Sequence, residues 1–296
     1  MTNTEEAARI KPKLAIDEQV AVIVFAIGMI AMGAMCVVYR DFAYGWQPVP
    51  EFRPGRDVLA VFCGVLMIAF SLGLLFRKTA PTAARVMLAF LSLWIALKVP
   101  ALFVAPQREG VWLGIGEIGM LLAGGLVLFA HLSNLGASRM SRSLTGHQGI
   151  RVAQIVFGLS VIPVGLSHLV YGHITASLVP SWLPFRLYVA YITGMAQMAC
   201  GVALLFSLLP SMAAFIEAGL LALFAFLVWG PDTWFATTPK MPGAPAGFRF
   251  PFTAFLITWV IAASALLLAV HSARGKARQT DQVLDSVRPV VKGETV

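Results

Sequence analysis

Charge is scarce in this sequence: only 12% of its 296 residues are Asp, Glu, Lys or Arg, about half the share of an ordinary soluble domain. A water-soluble fold of this length needs more polar surface than that, so the soluble class is excluded. Cysteine is rarer still, at three residues. Cys36, Cys63 and Cys200 fall inside apolar runs with no C-x-x-C pair, which excludes a disulfide framework or thiol relay and reads them as small packing residues. The chain also lacks a G-x-x-x-x-G-K-[ST] phosphate loop, a G-x-G-x-x-G turn, an H-E-x-x-H helix and any Cys-His zinc spacing. An ATP-driven pump and a soluble-type catalytic domain are thereby excluded, and no metal site is expected.

What the chain has instead is apolar length. Hydrophobic residues make up 58% of it, gathered into eight runs near the ~20 residues that cross a bilayer. The expected spans are 20–39, 58–76, 83–104, 111–131, 152–171, 185–206, 213–229 and 252–270. Because the runs are continuous and not alternating, they predict helices and not a barrel. The expected fold is therefore all-α, an integral membrane protein of eight transmembrane helices whose first partner is the lipid bilayer.

The net charge of +8 does not point to nucleic acid, because the basic residues lie between the spans and not on one polar face. Fourteen Lys and Arg fall on the side of the two termini and seven on the other, with Lys98 left inside a span. The positive-inside rule then puts both termini in the cytoplasm, in what the pattern suggests is a bacterial plasma membrane. Residues 1–19 read as a polar cytoplasmic tail and not a signal peptide. Residues 20–131 form a first four-span unit, 132–150 a cytoplasmic linker, 151–271 a second unit, and 272–296 a tail expected to be disordered.

The two units resemble each other. An offset of 130 residues brings Gly28 onto Gly158, Val49-Pro50 onto Val179-Pro180, Gly64 onto Gly194 and Leu74-Leu75-Phe76 onto Leu204-Leu205-Phe206. Beyond the longer loop after Trp229 the offset becomes 140, and His131 falls on His271. An even number of spans per unit predicts parallel repeats about an axis along the membrane normal, two four-helix bundles side by side. Gly28, Ala31, Gly33, Gly64, Gly194 and Ala196 are the small residues expected to let helices approach closely.

In the second unit, Gly165-Leu-Ser-His168, Val179-Pro-Ser-Trp-Leu-Pro184, Tyr191-Ile-Thr-Gly194 and Gly201-Val-Ala-Leu-Leu-Phe206 follow one another. This pattern resembles the DoxX-like family of small four-span membrane proteins. The resemblance covers residues 152–230 well and the first unit weakly, where Val38 stands in place of His168 and Gln47-Pro-Val-Pro50 replaces the longer proline loop. It implies a broad superfamily, some of whose members serve as membrane subunits of quinone-linked oxidoreductases. Such a likeness specifies fold better than reaction.

Ionisable groups inside spans cost several kcal/mol unless paired or wetted, which makes each a candidate. Lys98 and Glu117 lie roughly 10 Å from the outer ends of their spans at 1.5 Å per residue, where an ion pair on antiparallel neighbours is expected. With His168 they form the candidate outer site, open to a quinone or a proton, with a structural pair as the alternative. His168 could ligate a metal or haem, hold a quinone carbonyl, shuttle a proton or lock the proline loop. Glu217, about five residues into its span and with no basic neighbour at that depth, is the candidate proton carrier. His131 and His271 end equivalent spans and are a candidate pair of haem ligands, or simply interfacial residues.

Tyr39, Tyr44, Trp46, Trp112, Trp182, Trp229 and Trp234 are expected in an interfacial belt. Three functional readings follow. They are a quinone-interacting or redox-partner membrane subunit, a proton-linked or small-solute transporter, and a scaffold without catalysis.

Overall fold

The computed structural model describes residues 16–50, 52–132, 144–235 and 247–287, with side chains from Asp17 to Ala273 within them. The described residues are helical throughout their regular structure, with no strand among them. In chain order the helices are α1 (Ile16–Tyr39), α2 (Arg56–Leu74), α3 (Ala80–Lys98), its short continuation α4 (Pro100–Val104), and α5 (Glu109–Leu132). They are followed by α6 (Gly146–Val170), α7 (Gly172–Leu178), α8 (Arg186–Leu205) and α9 (Pro210–Phe224). A π-helical turn, Ala225–Trp229, joins α9 to α10 (Gly230–Phe235), and α11 (Arg249–Val287) closes the chain.

Eight of these segments are long and apolar enough to cross a membrane, and each overlaps one expected run. Several helices exceed their runs: the fifth span starts at Gly146 and the seventh reaches Phe235. Backbone hydrogen bonding does not stop where the apolar residues stop, so polar first and last turns extend the helix beyond the hydrophobic stretch. Proline stands in the first turn of α3, α4 and α9, among others, where its missing N–H leaves no intrahelical bond unmade. Residues 272–287 are helical as the end of α11, and the Ala, Arg, Lys and Gln of that stretch are good helix formers; residues 288–296 lie outside the described part, as do 1–15 and 133–143 of the expected tail and linker.

The packing order follows the chain around a ring: α1 on α2, α2 on α3, α3 on α5, α5 on α6, α6 on α8, α8 on α9, α9 on α11, and α11 back on α1. The fourth and eighth spans, α5 and α11, also pack on each other, and both are mostly buried. Gly124 of α5 brings Ser264 of α11 and Phe25 of α1 against one another at the centre. Within the ring, the two halves of four spans meet through these two helices. The last helix of each half is inserted between the halves, because α5 and α11 carry the most continuous apolar and small-residue faces.

Neighbouring helices approach through glycines. A Cβ on Gly33 would lie 2.6 Å from the Gly64 carbonyl oxygen, and one on Gly64 equally close to that of Gly33. Gly165 and Gly194 repeat this reciprocal contact between α6 and α8, at 2.5 and 2.6 Å. With backbones this close, packing and not hydrophobic transfer holds the pair together in lipid. Arg151 adds a polar tie by donating to the Leu204 and Leu205 carbonyls at the end of α8, at 2.8 and 2.6 Å.

Trp46 departs from the expected belt. It is fully buried, edge-on to Trp94 and Phe90 at the far end of the core, the end opposite the chain termini. A tryptophan in a loop reads as interfacial from its neighbours in sequence, but the 40–50 loop folds inward. Asp41 holds that loop, pairing with Arg56 at the start of α2 and with Arg249 at the start of α11, the latter at 2.6 Å.

Candidate functional site

The polar residues singled out in the spans sort into four places. At the far end, Lys98 closes α3 and its ammonium donates to the Gly45 carbonyl at 2.7 Å and the Gly114 carbonyl at 2.9 Å. Glu117, one turn beyond Gly114 on α5, is within electrostatic reach. The expected direct Lys98–Glu117 pair is therefore replaced by two carbonyl bonds that pin the 40–50 loop to α5. A side chain pointing from the end of α3 meets the carbonyl of a glycine, whose lack of a side chain gives access, before it meets the carboxylate. Lys98→Met is expected to remove both charge-assisted bonds and cost about 2 kcal/mol, read as a lower melting temperature of the detergent-solubilised protein.

The pinned loop carries Trp46 and Gln47 into an aromatic cluster with Phe42, Phe90 and Trp94, whose ring centroids lie 5.6–6.5 Å apart and edge to face. Gln47 accepts from the Ala43 N–H at 2.8 Å through Oε1. Its Nε2, and the indole N–H groups of Trp46 and Trp94, are buried with no hydrogen-bond acceptor among the described residues. All three atoms are donors, so what this cluster lacks is an acceptor.

His168 stands elsewhere. Its Nδ1 lies 3.3 Å from the Ala190 carbonyl and 3.2 Å from Thr193 Oγ1, both on α8, and its ring meets Phe224 edge-on at 5.2 Å. The partners of His168 are thus on α8 and α9, whereas Lys98 and Glu117 belong to α3 and α5. The histidine does not lock the proline loop through these bonds, because its ring turns along α8 beside Gly194.

Glu217 is fully buried seven residues into α9, and Gln197 is buried opposite it on α8. Gln197 Nε2 donates to Glu217 Oε1 at 3.1 Å. Glu217 Oε2 and Gln197 Oε1 have no partner among the described residues. The tight turn between α8 and α9, with Ser207 and Leu209 in the left-handed region at φ 56° and 47°, sets the two helices antiparallel. Residues at equal distance from that turn then face each other, which brings Gln197 to Glu217. Equal spacing from a turn is a signal that a sequence carries, and a search confined to basic partners passes over it.

At the terminus-bearing end, His131 and His271 come together, with ring centroids 4.7 Å apart at 71°. Two imidazoles on opposite faces of one haem iron hold their ring centroids roughly 6 Å apart with a porphyrin between them, and this contact leaves no such gap. Glu18 of α1 joins them, its Oε1 3.7 Å from His271 Nε2. Nothing in the sequence pattern of α1 marks Glu18 as more than one acid of a first helical turn.

A family model described as a domain of unknown function, DUF8561, matches residues 157–264, just over a third of the chain. The matched stretch contains His168, Gln197 and Glu217 but not Lys98, Trp46 or Glu18. Comparison with curated proteins and with solved structures gives no match.

Proposed function

We propose that this protein is a DoxX-like integral membrane subunit that interacts with a quinone, at the far end of its first four spans. The observation that carries this reading is the set of three buried donors without acceptors, Trp46 Nε1, Trp94 Nε1 and Gln47 Nε2, inside an aromatic cluster. A quinone head group offers what they lack, two carbonyl acceptors on a flat ring that packs against aromatic faces. It supplies the capacity to carry electrons and protons. The chain supplies the donors, which favour the more negatively charged reduced ring, and Lys98, a positioning residue that holds the loop through Gly45.

The repeat seen in the sequence belongs to this reading. The reciprocal glycine contacts at Gly33–Gly64 and Gly165–Gly194 support it, since Gly64 and Gly194 are equivalent positions at the 130-residue offset. So does the central placement of the fourth and eighth spans. Both termini are then cytoplasmic and the donor cluster faces the outer leaflet.

The test is binding of a short-chain quinone to the detergent-purified protein, followed by quenching of tryptophan fluorescence. Saturable micromolar binding is expected, weakened about tenfold or more in Trp46→Phe and Trp94→Phe, which keep an aromatic ring and remove one hydrogen bond each. No saturable binding, or binding by both variants as tight as that of the wild type, would sink the assignment. A second reading, proton-linked transport, is favoured by the Glu217–Gln197 pair, which is placed in the other half of the chain.

A further inference from the structure

Glu18, His131 and His271 come from three different helices, α1, α5 and α11, which meet at the terminus-bearing end of the core. One ligand atom from each lies within 4.8 Å of the other two. Glu18 and His271 are buried at 2% and 6% exposure. The His271 Nδ1–H donates to the Leu267 carbonyl at 2.8 Å. A carbonyl only accepts, so Nδ1 carries a hydrogen, and the neutral ring then offers its lone pair at Nε2, the atom turned to Glu18. A second hydrogen bond of this kind orients most metal-bound histidines.

We propose that these three side chains form a binding site for a divalent transition metal, of the class with two imidazoles and one carboxylate. Ligand atoms of a tetrahedral zinc ion, with bonds of about 2.0–2.1 Å, stand roughly 3.4 Å apart. Side-chain rotations of about 1 Å bring a set spread over 4.8 Å to that spacing. The donor set selects the metal. Two nitrogens and one oxygen suit Zn²⁺ or Fe²⁺, whereas Ca²⁺ and Mg²⁺ favour all-oxygen shells and Cu⁺ favours thiolates.

Three ligands are the number found in zinc sites that keep a position for water or substrate, and closed structural sites have four. The ion would join the start of α1 to both central helices. This inference stands on different residues from the quinone reading, at the opposite end of the molecule, and survives its failure.

The experiment uses the full chain with an affinity tag free of histidine, purified in mild detergent and stripped with a chelator. Titration with Co²⁺ is expected to give one equivalent of tight binding with visible d–d absorption, displaced by Zn²⁺. Glu18→Gln, which keeps the side-chain volume, and His131→Ala are each expected to weaken Zn²⁺ binding by about 100-fold, with melting in the absence of metal little changed for Glu18→Gln. A protein that binds neither ion, or whose Zn²⁺ affinity in Glu18→Gln and His131→Ala is unchanged from wild type, overturns the proposal and leaves a hydrogen-bonded His-Glu cluster. If His131→Ala does not fold, the wild-type stoichiometry and Glu18→Gln decide.

Discussion

Gly165→Ala and Gly194→Ala should each destabilise the protein by about 3 kcal/mol, the upper part of the range for overpacking a well-filled core. A Cβ at either site would sit 2.5–2.6 Å from the carbonyl oxygen of the facing glycine. Backbone has no rotamer by which to move away, so the whole of α6 must separate from α8. That separation also pulls His168 from Ala190 and Thr193, since the Gly194 Cβ would press on the histidine itself. Gly219 on α9 provides the matched control. A Cβ there meets nothing within 4 Å, and Gly219→Ala should be neutral or stabilising by up to about 1 kcal/mol through helix propensity. Denaturant unfolding in mixed micelles measures both; equal effects at the two kinds of site would mean that helix contacts do not set the cost.

Severing the Glu217–Gln197 pair should give the second large effect. Gln197→Leu leaves a buried carboxyl group with no donor, and Glu217→Leu leaves a buried amide with no acceptor. Each is expected to cost about 2 kcal/mol, the penalty of an orphaned polar group. The double leucine variant removes both groups and should return to within about 1 kcal/mol of wild type, because the net worth of an interhelical hydrogen bond in a membrane protein is small. A double variant as unstable as the two single changes added together would show that the two side chains do not act as a pair.

The same pair tests the transport reading. With one bond made through Gln197 Nε2 and two oxygens left over, a proton on Glu217 Oε2 would let the acid and the amide join through two hydrogen bonds. The infrared carbonyl band of a protonated carboxylic acid is then expected in the wild type and absent from Glu217→Gln. Proteoliposomes should lose proton flux by about tenfold or more with the same substitution, as for a displaced acid–base group. Vesicles with no flux in the wild type would remove transport and leave a neutral structural pair.

The number and helical character of the spans were legible because lipid leaves the backbone few choices. A continuous apolar run near 20 residues has to satisfy its own hydrogen bonds, and a helix does so within the run. Lys98, Glu117, His168 and Glu217 all fall within the eight apolar spans. What counting leaves open is azimuth, the direction in which a side chain leaves its helix. Lys98 was expected to reach Glu117 and reaches Gly45 and Gly114 instead. His168 was grouped with Lys98 by depth, and its partners are on α8 and α9. Trp46 was given to the membrane surface because it lies in a loop, and the loop turns it into the core.

By itself, then, the sequence determined an all-helical membrane protein of eight spans, the scarce polar groups within them and some of the glycines on which helices cross, Gly33, Gly64 and Gly194 but not Gly165. These follow from composition and one-dimensional spacing, which the bilayer translates directly into length and depth. Only the tertiary structure decided which helices are neighbours, with the fourth and eighth at the centre. That choice depends on the fit of whole helix faces, summed over contacts between residues up to 253 positions apart, such as Glu18 and His271. It is why Gln197 emerged beside Glu217, three buried donors around Trp46, and a carboxylate beside the two histidines.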